Sequence, residues 1–86
     1  MYSIYKIIFT EKAVHDLSNI DNENQERIAI KLKSYSKEPL KYARKLISPK
    51  IGSYRFRIGD YRVIFDIDDD KIIILRIGHR KNIYKL

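Results

Sequence analysis

Residues 54–67 read Tyr54-Arg55-Phe56-Arg57-Ile58-Gly59-Asp60-Tyr61-Arg62-Val63-Ile64-Phe65-Asp66-Ile67, and their pattern decides the fold. Tyr54, Phe56 and Ile58 alternate with Arg55 and Arg57, while Tyr61, Val63, Phe65 and Ile67 alternate with Arg62, Ile64 and Asp66. A period of two marks a strand with one buried face, and Gly59-Asp60 between the runs is a two-residue hairpin loop. That loop sets the register: Ile58 opposite Tyr61, Phe56 opposite Val63, Tyr54 opposite Phe65. Arg57 then lies directly across from Arg62, with Arg55 one step along the same face. Like charges facing each other across a ladder destabilise it. The pattern therefore predicts a partner that neutralises them, a polyanion.

The rest of the composition is consistent with one intracellular domain spanning residues 1–86. At 44 % hydrophobic content the chain has the material for an ordinary core. It contains no cysteine, which excludes disulfides and thiolate metal sites and favours a reducing, cytoplasmic setting. The apolar stretch Ile4–Phe9 is broken by Lys6 and is too short for a signal peptide, and nothing approaches a membrane span.

The net charge of +7 is unevenly placed. Residues 1–40 sum to zero. Residues 41–62 carry Lys41, Arg44, Lys45, Lys50, Arg55, Arg57 and Arg62 against Asp60 alone, and residues 76–86 add Arg76, Arg80, Lys81 and Lys85. Cationic charge focused on one loop, one hairpin and the C-terminal segment is an electrostatic footprint for nucleic acid.

Around the hairpin, the pattern predicts a first strand over Tyr2–Phe9 and a helix starting at Glu11 with Thr10 as N-cap. Ala13, Val14, Leu17 and Ile20 share one face of that helix. Asn22 and Gln25 resemble a capping box for a second helix that carries Ile28, Leu32 and Tyr35 and ends before Pro39. Residues 38–53 read as a connecting loop with a short turn near Tyr42–Leu46. A last strand, Lys71–Gly78, follows the acidic turn Asp68-Asp69-Asp70. The order β-α-α-β-β-β predicts an α+β fold: two antiparallel N-terminal helices on one face of a small, mostly antiparallel four-stranded sheet.

Familiar hydrolytic machinery is missing. With His15 and His79 the sole histidines, no zinc cluster or Ser-His-Asp grouping can be assembled, and the three glycines are scattered rather than gathered in a phosphate loop. The Asp68–Asp70 run reads as a solvated turn, because Asp favours turns. What remains is Arg55, Arg57, Arg62, Arg76, Arg80, Lys81 and Tyr84, with Lys45 and Lys50 nearby in sequence. If the acidic turn is a three-residue loop, Arg62 faces Arg76, and the set forms a cationic groove for a phosphodiester backbone, with Tyr84 offering a stacking surface or a phenol. Singly, each has a plainer reading. Alternate arginines on a strand face water, Arg76 pairs with an acid such as Asp66, His79 caps or packs, and Tyr84 anchors the tail.

In this order and spacing, the residues resemble the small toxins of the RelE/ParE superfamily of type II toxin–antitoxin modules. The resemblance runs through Tyr5-Lys-Ile-Ile-Phe9, the helix with Ala13 and Leu17, Tyr54–Phe65, and Ile77-Gly-His-Arg-Lys-Asn-Ile-Tyr84. It implies a RelE-like mRNA interferase that cleaves message in the ribosomal A site without metal or cofactor and is neutralised in a hetero-oligomer with a cognate RelB-like antitoxin. By the same resemblance Arg62, Arg80 and Tyr84 are the catalytic set. Arg55, Arg57, Lys45, Lys50, Arg76 and Lys81 supply charge to the RNA, and His79 is a candidate acid. Some members carry lysines where this chain has Arg55 and Arg57, and arginine holds its proton too tightly to serve as acid or base. Two other functions fit the same superfamily and charge: a ParE-like poison of DNA gyrase, and a non-catalytic module that binds nucleic acid or antitoxin.

Overall fold

A computed structural model describes residues 5–47 and 50–85. The element order is β1 (Lys6–Phe9), α1 (Glu11–Ser18), α2 (Asn22–Tyr35), α3 (Pro39–Tyr42), β2 (Arg44–Lys45), β3 (Tyr54–Ile58), β4 (Tyr61–Asp68), β5 (Lys71–His79) and a 3₁₀ turn over Ile83–Lys85. The strands form one sheet in the order β1-β5-β4-β3-β2, antiparallel except for the β1–β5 pair. The α+β architecture with two main helices on a mostly antiparallel sheet is as expected, but the sheet has five strands rather than four. The extra strand, β2, lies in the stretch expected to be loop, and Pro39 opens the short α3 as well as following α2. Of the first strand expected over Tyr2–Phe9, residues 2–4 lie outside the described residues.

The central hairpin has the predicted register: Ile58 pairs with Tyr61, Arg57 with Arg62, Phe56 with Val63 and Tyr54 with Phe65. Gly59 takes a φ of 58°, the left-handed conformation that suits glycine at the first position of such a turn. One face of the hairpin is the core. Phe56, Val63 and Phe65 are buried with Ile72, Ile74 and Ile77 of β5 and with Ala13, Ile28 and Leu32 from the helices. The Phe56 and Phe65 rings stack at 4.2 Å, a geometry that adds ~0.5–1.5 kcal/mol to the burial of their area.

Both helices start at side-chain caps. The Thr10 hydroxyl accepts from the Ala13 N–H, as expected. The second cap is Asp21, not Asn22: its carboxylate accepts from Asn24 N–H, while the Gln25 amide donates to Leu17 O. The cap thus lies one residue before the expected capping box, and Asn22 is the first residue of the helix.

The acidic turn is tighter than the three-residue loop expected. Asp68 pairs with Lys71, so Asp69 and Asp70 alone make the bend, with Asp69 at a φ of 55°. A register shift between Ile64 and Phe65 then moves the far half of β5, so Arg62 faces Gly78 and Ile64 faces Arg76. The bulge leaves Leu75 as the extra residue on β5 and turns Arg76 toward α1.

That turn of Arg76 ties α1 to the sheet. β1 covers only the first half of β5, and α1 closes the rest of that edge. Thr10 N–H donates to Ile74 O, the Thr10 hydroxyl donates to Leu75 O, and the Asp16 carboxylate accepts from the Ile77 N–H at 2.9 Å. Arg76 completes the arrangement with two hydrogen bonds to Asp16, from Nε at 2.8 Å and Nη2 at 3.0 Å. An edge strand must be covered or paired, and here a helix carboxylate does both. Burial alone would raise the Asp16 pKa. The Arg76 and Ile77 hydrogen bonds outweigh it and hold the carboxyl below its ordinary value.

The opposite face of the sheet is closed at one end by the C-terminal 3₁₀ turn. Ile83 is fully buried and packs over Gly78, where an added Cβ would lie 3.0 Å from Ile83 Cδ1.

Two outcomes are expected. Asp16→Ala strips Arg76 and Ile77 N–H of their acceptor and lowers stability at neutral pH by about 2–3 kcal/mol in urea titration. Because the folded-state pKa is depressed, the wild-type advantage is complete above the ordinary carboxylate pKa and fades as pH falls through the folded value. Gly78→Ala is nearly silent, because a side-chain tip can yield. Gly78→Val overpacks the contact by about 1–3 kcal/mol and frees residues 83–85, read as faster amide exchange there.

Candidate functional site

The face opposite the helices brings a row of arginines together. Arg57 and Arg62 are paired across β3 and β4, Arg55 lies one step along, and Arg44 of β2 pairs with Arg55. Arg62 is only 6 % exposed, an unusual place for a guanidinium. Its Nη1 donates to Gly59 O at 3.0 Å and Tyr61 O at 2.9 Å. No carboxylate among the described residues comes within ion-pair distance of it. Burial first, then the charges of Arg57 and Arg55, push its pKa below the ordinary guanidinium value; Tyr84 opposes this and Arg80 adds to it. Arginine titrates so high that Arg62 remains a cation. Its charge is thus held in a place that disfavours it.

Arg80 arrives from beyond β5. Its N–H donates to Asp60 O at 2.7 Å, which sets it against the hairpin turn beside Arg62. Tyr84, one residue past the Ile83 plug, is half-exposed. Together with Arg44, Lys45, Arg55, Leu46 and Ile51 it lines a cleft of about 370 Å³. The expected convergence of Arg55, Arg57, Arg62, Arg80 and Tyr84 is therefore present in the geometry, with Lys45 at its margin.

Four expected members stand elsewhere. Arg76, expected to face Arg62, is turned away by the bulge in β5, and Asp16 neutralises it and raises its pKa. Lys50 lines a separate cleft of about 690 Å³ beside Thr10, Asp66 and Arg76. His79 pairs with Tyr61 on the helix-bearing face, with their rings in edge contact at 5.7 Å. Its Nδ1 accepts from Lys81 N–H at 3.2 Å. That places the imidazole across the sheet from Arg62, out of reach of the cluster where an acid was expected. Lys81 meets His79 through its backbone, and its side chain is exposed.

Arg44 is the member that sequence reasoning missed. A two-residue strand is too short to show alternation, so the only signal was its place in the charged stretch 41–62. Among the described residues no group of His, Asp or Glu side chains is arranged to hold a metal ion, and no helix is long and apolar enough to cross a membrane.

Residues 7–84 match the family model described as the ParE toxin of the type II toxin–antitoxin system parDE. Toxin RelE3 of Methanocaldococcus jannaschii is 34 % identical over 83 residues, covering 92 % of this chain and 94 % of the relative. Toxin RelG of Mycobacterium tuberculosis is 31 % identical over 84 residues, covering 94 % and 97 %. Among solved structures, a chain of the toxin–antitoxin complex RelBE2 from Mycobacterium tuberculosis superposes with a TM-score of 0.77 at 30 % identity, covering 88 % of this chain and 98 % of that one. The arginine-lined hairpin thus sits on a sheet shared with named toxins along almost its whole length, and the chain belongs to the ParE toxin family, within the RelE/ParE superfamily of type II toxin–antitoxin toxins.

Proposed function

We propose that this toxin is a metal-independent endoribonuclease acting on message in the ribosomal A site. The observation that carries this reading is Arg62, a buried cation beside Arg55, Arg57 and Arg80 with no carboxylate in ion-pair reach among the described residues. A scissile phosphate placed there meets donors that are already oriented. Such preorganised charge is the largest single contribution in many transfer reactions.

The RNA supplies its own nucleophile. Its 2′-hydroxyl attacks the adjacent phosphorus, the bond to the 5′-oxygen breaks, and the products are a 2′,3′-cyclic phosphate and a 5′-hydroxyl. Arg62 and Arg80 stabilise the charge that builds on the phosphorane. Tyr84 takes the 2′-hydroxyl proton or orients the nucleotide, and its cleft with Arg44 and Arg55 has room for an unstacked base. Arg55, Arg57 and Arg44 hold the flanking backbone as charges, not as proton carriers. With His79 across the sheet, water delivers the proton to the leaving oxygen.

A cognate RelB-like antitoxin is the proposed partner in a toxin–antitoxin hetero-oligomer. Support comes from the related RelBE2 structure, a toxin–antitoxin complex, and from a cationic face suited to an acidic segment that folds on binding. The cytoplasm, where ribosomes and message are, is the proposed location. The rival reading, a gyrase poison, draws on the ParE description of the matching family model. It assigns no turnover to Arg62, Arg80 and Tyr84.

Purified toxin added to ribosomes programmed with a defined message should yield fragments ending in a 2′,3′-cyclic phosphate, while gyrase supercoiling continues. Arg62→Ala and Arg80→Ala should each lower the cleavage rate about 10²–10³-fold, and Tyr84→Phe about 10²-fold or more. Intact message together with arrested gyrase would reverse the assignment.

A further inference from the structure

The turn between β3 and β4 touches both arginines of the proposed pair. The Gly59 carbonyl accepts from Arg62 Nη1. The next residue, Asp60, engages Arg80 twice: its carbonyl accepts from the Arg80 N–H at 2.7 Å, and its carboxylate lies 3.6 Å from Arg80 Nε. The two Asp60–Arg80 contacts are not needed to form the hairpin, whose register is already set by the turn length and by Phe56, Val63 and Phe65. They join the turn to a segment twenty residues further along the chain.

The approach through Nε matters. A guanidinium carries five N–H donors in a planar fork. At 3.6 Å the Asp60 carboxylate attracts the group without spending a hydrogen bond, so the terminal nitrogens remain able to grip a phosphate in the two-pronged way that suits arginine. By contrast, the Asp16 carboxylate takes both Nε and Nη2 of Arg76 at 2.8 and 3.0 Å, and so occupies that fork. One chain thus shows a carboxylate that occupies an arginine and another that stands behind one. Asp60 is also the sole acid among residues 41–62, a stretch with seven cations.

We propose that Asp60 is a positioning residue for Arg80, holding the guanidinium from behind so that its terminal nitrogens face the scissile phosphate. The proposal rests on the ribonuclease reading for its kinetic consequence, but not for its geometry. An exposed pair of this kind contributes little, so the kinetic effect is modest, about two- to fivefold. Its sign is the informative part. Removing a negative charge beside a cationic site should tighten RNA binding, whereas losing the anchor should slow the chemical step.

Asp60→Asn should therefore lower kcat about two- to fivefold while KM falls or stays level, and Asp60→Glu should restore most of the rate. In an Arg80→Ala background Asp60→Asn should no longer change kcat. A raised kcat in Asp60→Asn, or the same loss with Arg80 already removed, overturns the proposal. A second measurement needs no activity. The Arg80 Nε–H resonance in ¹⁵N spectra of the free protein should show a higher order parameter in the wild type than in Asp60→Asn, with the Arg76 signal unmoved as the internal reference. Equal order parameters for Arg80 overturn the proposal even if RNA is cut. A wild type that cuts no RNA but shows the Arg80 difference refutes the ribonuclease reading and leaves the anchor standing.

Discussion

A two-residue turn allows a hairpin one register, and the register fixed by Gly59 and Asp60 determines what both faces of this sheet become. With Ile58 against Tyr61, the helix-bearing face takes Tyr54, Phe56 and Ile58 from β3 and Tyr61, Val63 and Phe65 from β4. Phe56, Val63 and Phe65 then meet Ile28 and Leu32. A slip by one residue would send that set to solvent and bring arginines into the core. The hydrophobic face thus enforces the like-charge pairing on the other side, where Arg57 and Arg62 have no freedom to avoid each other. Repulsion that would unzip an isolated ladder is carried here by the burial of the reverse face.

The two internal arginines of this sheet show how environment divides one residue type into two roles. Arg76 reaches a carboxylate that also caps a ladder N–H, and together they lock α1 onto the open edge of β5. Among the described residues Arg62 reaches only backbone carbonyls, and its neighbouring charges are mostly of its own sign. The first is saturated and structural. The second has its orientation fixed by the carbonyls while its charge goes unanswered, the condition in which an incoming anion gains most. A depressed pKa on Arg62 and a raised one on Arg76 are the electrostatic trace of that division.

Local chemistry in the sequence was enough to read the hairpin, the Thr10 cap and most of the apolar face of each helix, because each depends on residues a few positions apart. Val14, expected on the inner face of α1, is instead 55 % exposed, and Ile20 packs on the core from beyond the end of that helix. Three features were not legible, for one shared reason: their cause is distant in the chain. β2 is two residues long and exists by pairing with Tyr54 and Arg55. The bulge beside Leu75 depends on how β5 settles between two partners, and it redirected Arg76 to an acid sixty residues away. His79, expected beside water as a source of the proton for the leaving oxygen, stands apart from the arginines. Alternation along β5, once the bulge is counted, puts it with Tyr61 on the other face. The cluster of Arg55, Arg57 and Arg62 was legible because one turn determines it, whereas the supporting positions depended on a sheet that assembles from both ends of the chain.

The absence of an imidazole from the arginine face bears on what such a site can do. Guanidiniums do not exchange protons near neutrality, so a site built from Arg55, Arg57, Arg62 and Arg80 contributes field and orientation. A field of that kind accelerates a reaction whose nucleophile comes with the substrate, which RNA provides and DNA does not, since only RNA carries a 2′-hydroxyl beside each phosphate. The same arginines on a protein target would supply adhesion and nothing more. Adhesion is served equally well by exposed lysines and does not require a guanidinium to be only 6 % exposed. Holding Arg62 there disfavours its charge, and the cation is oriented before any anion arrives.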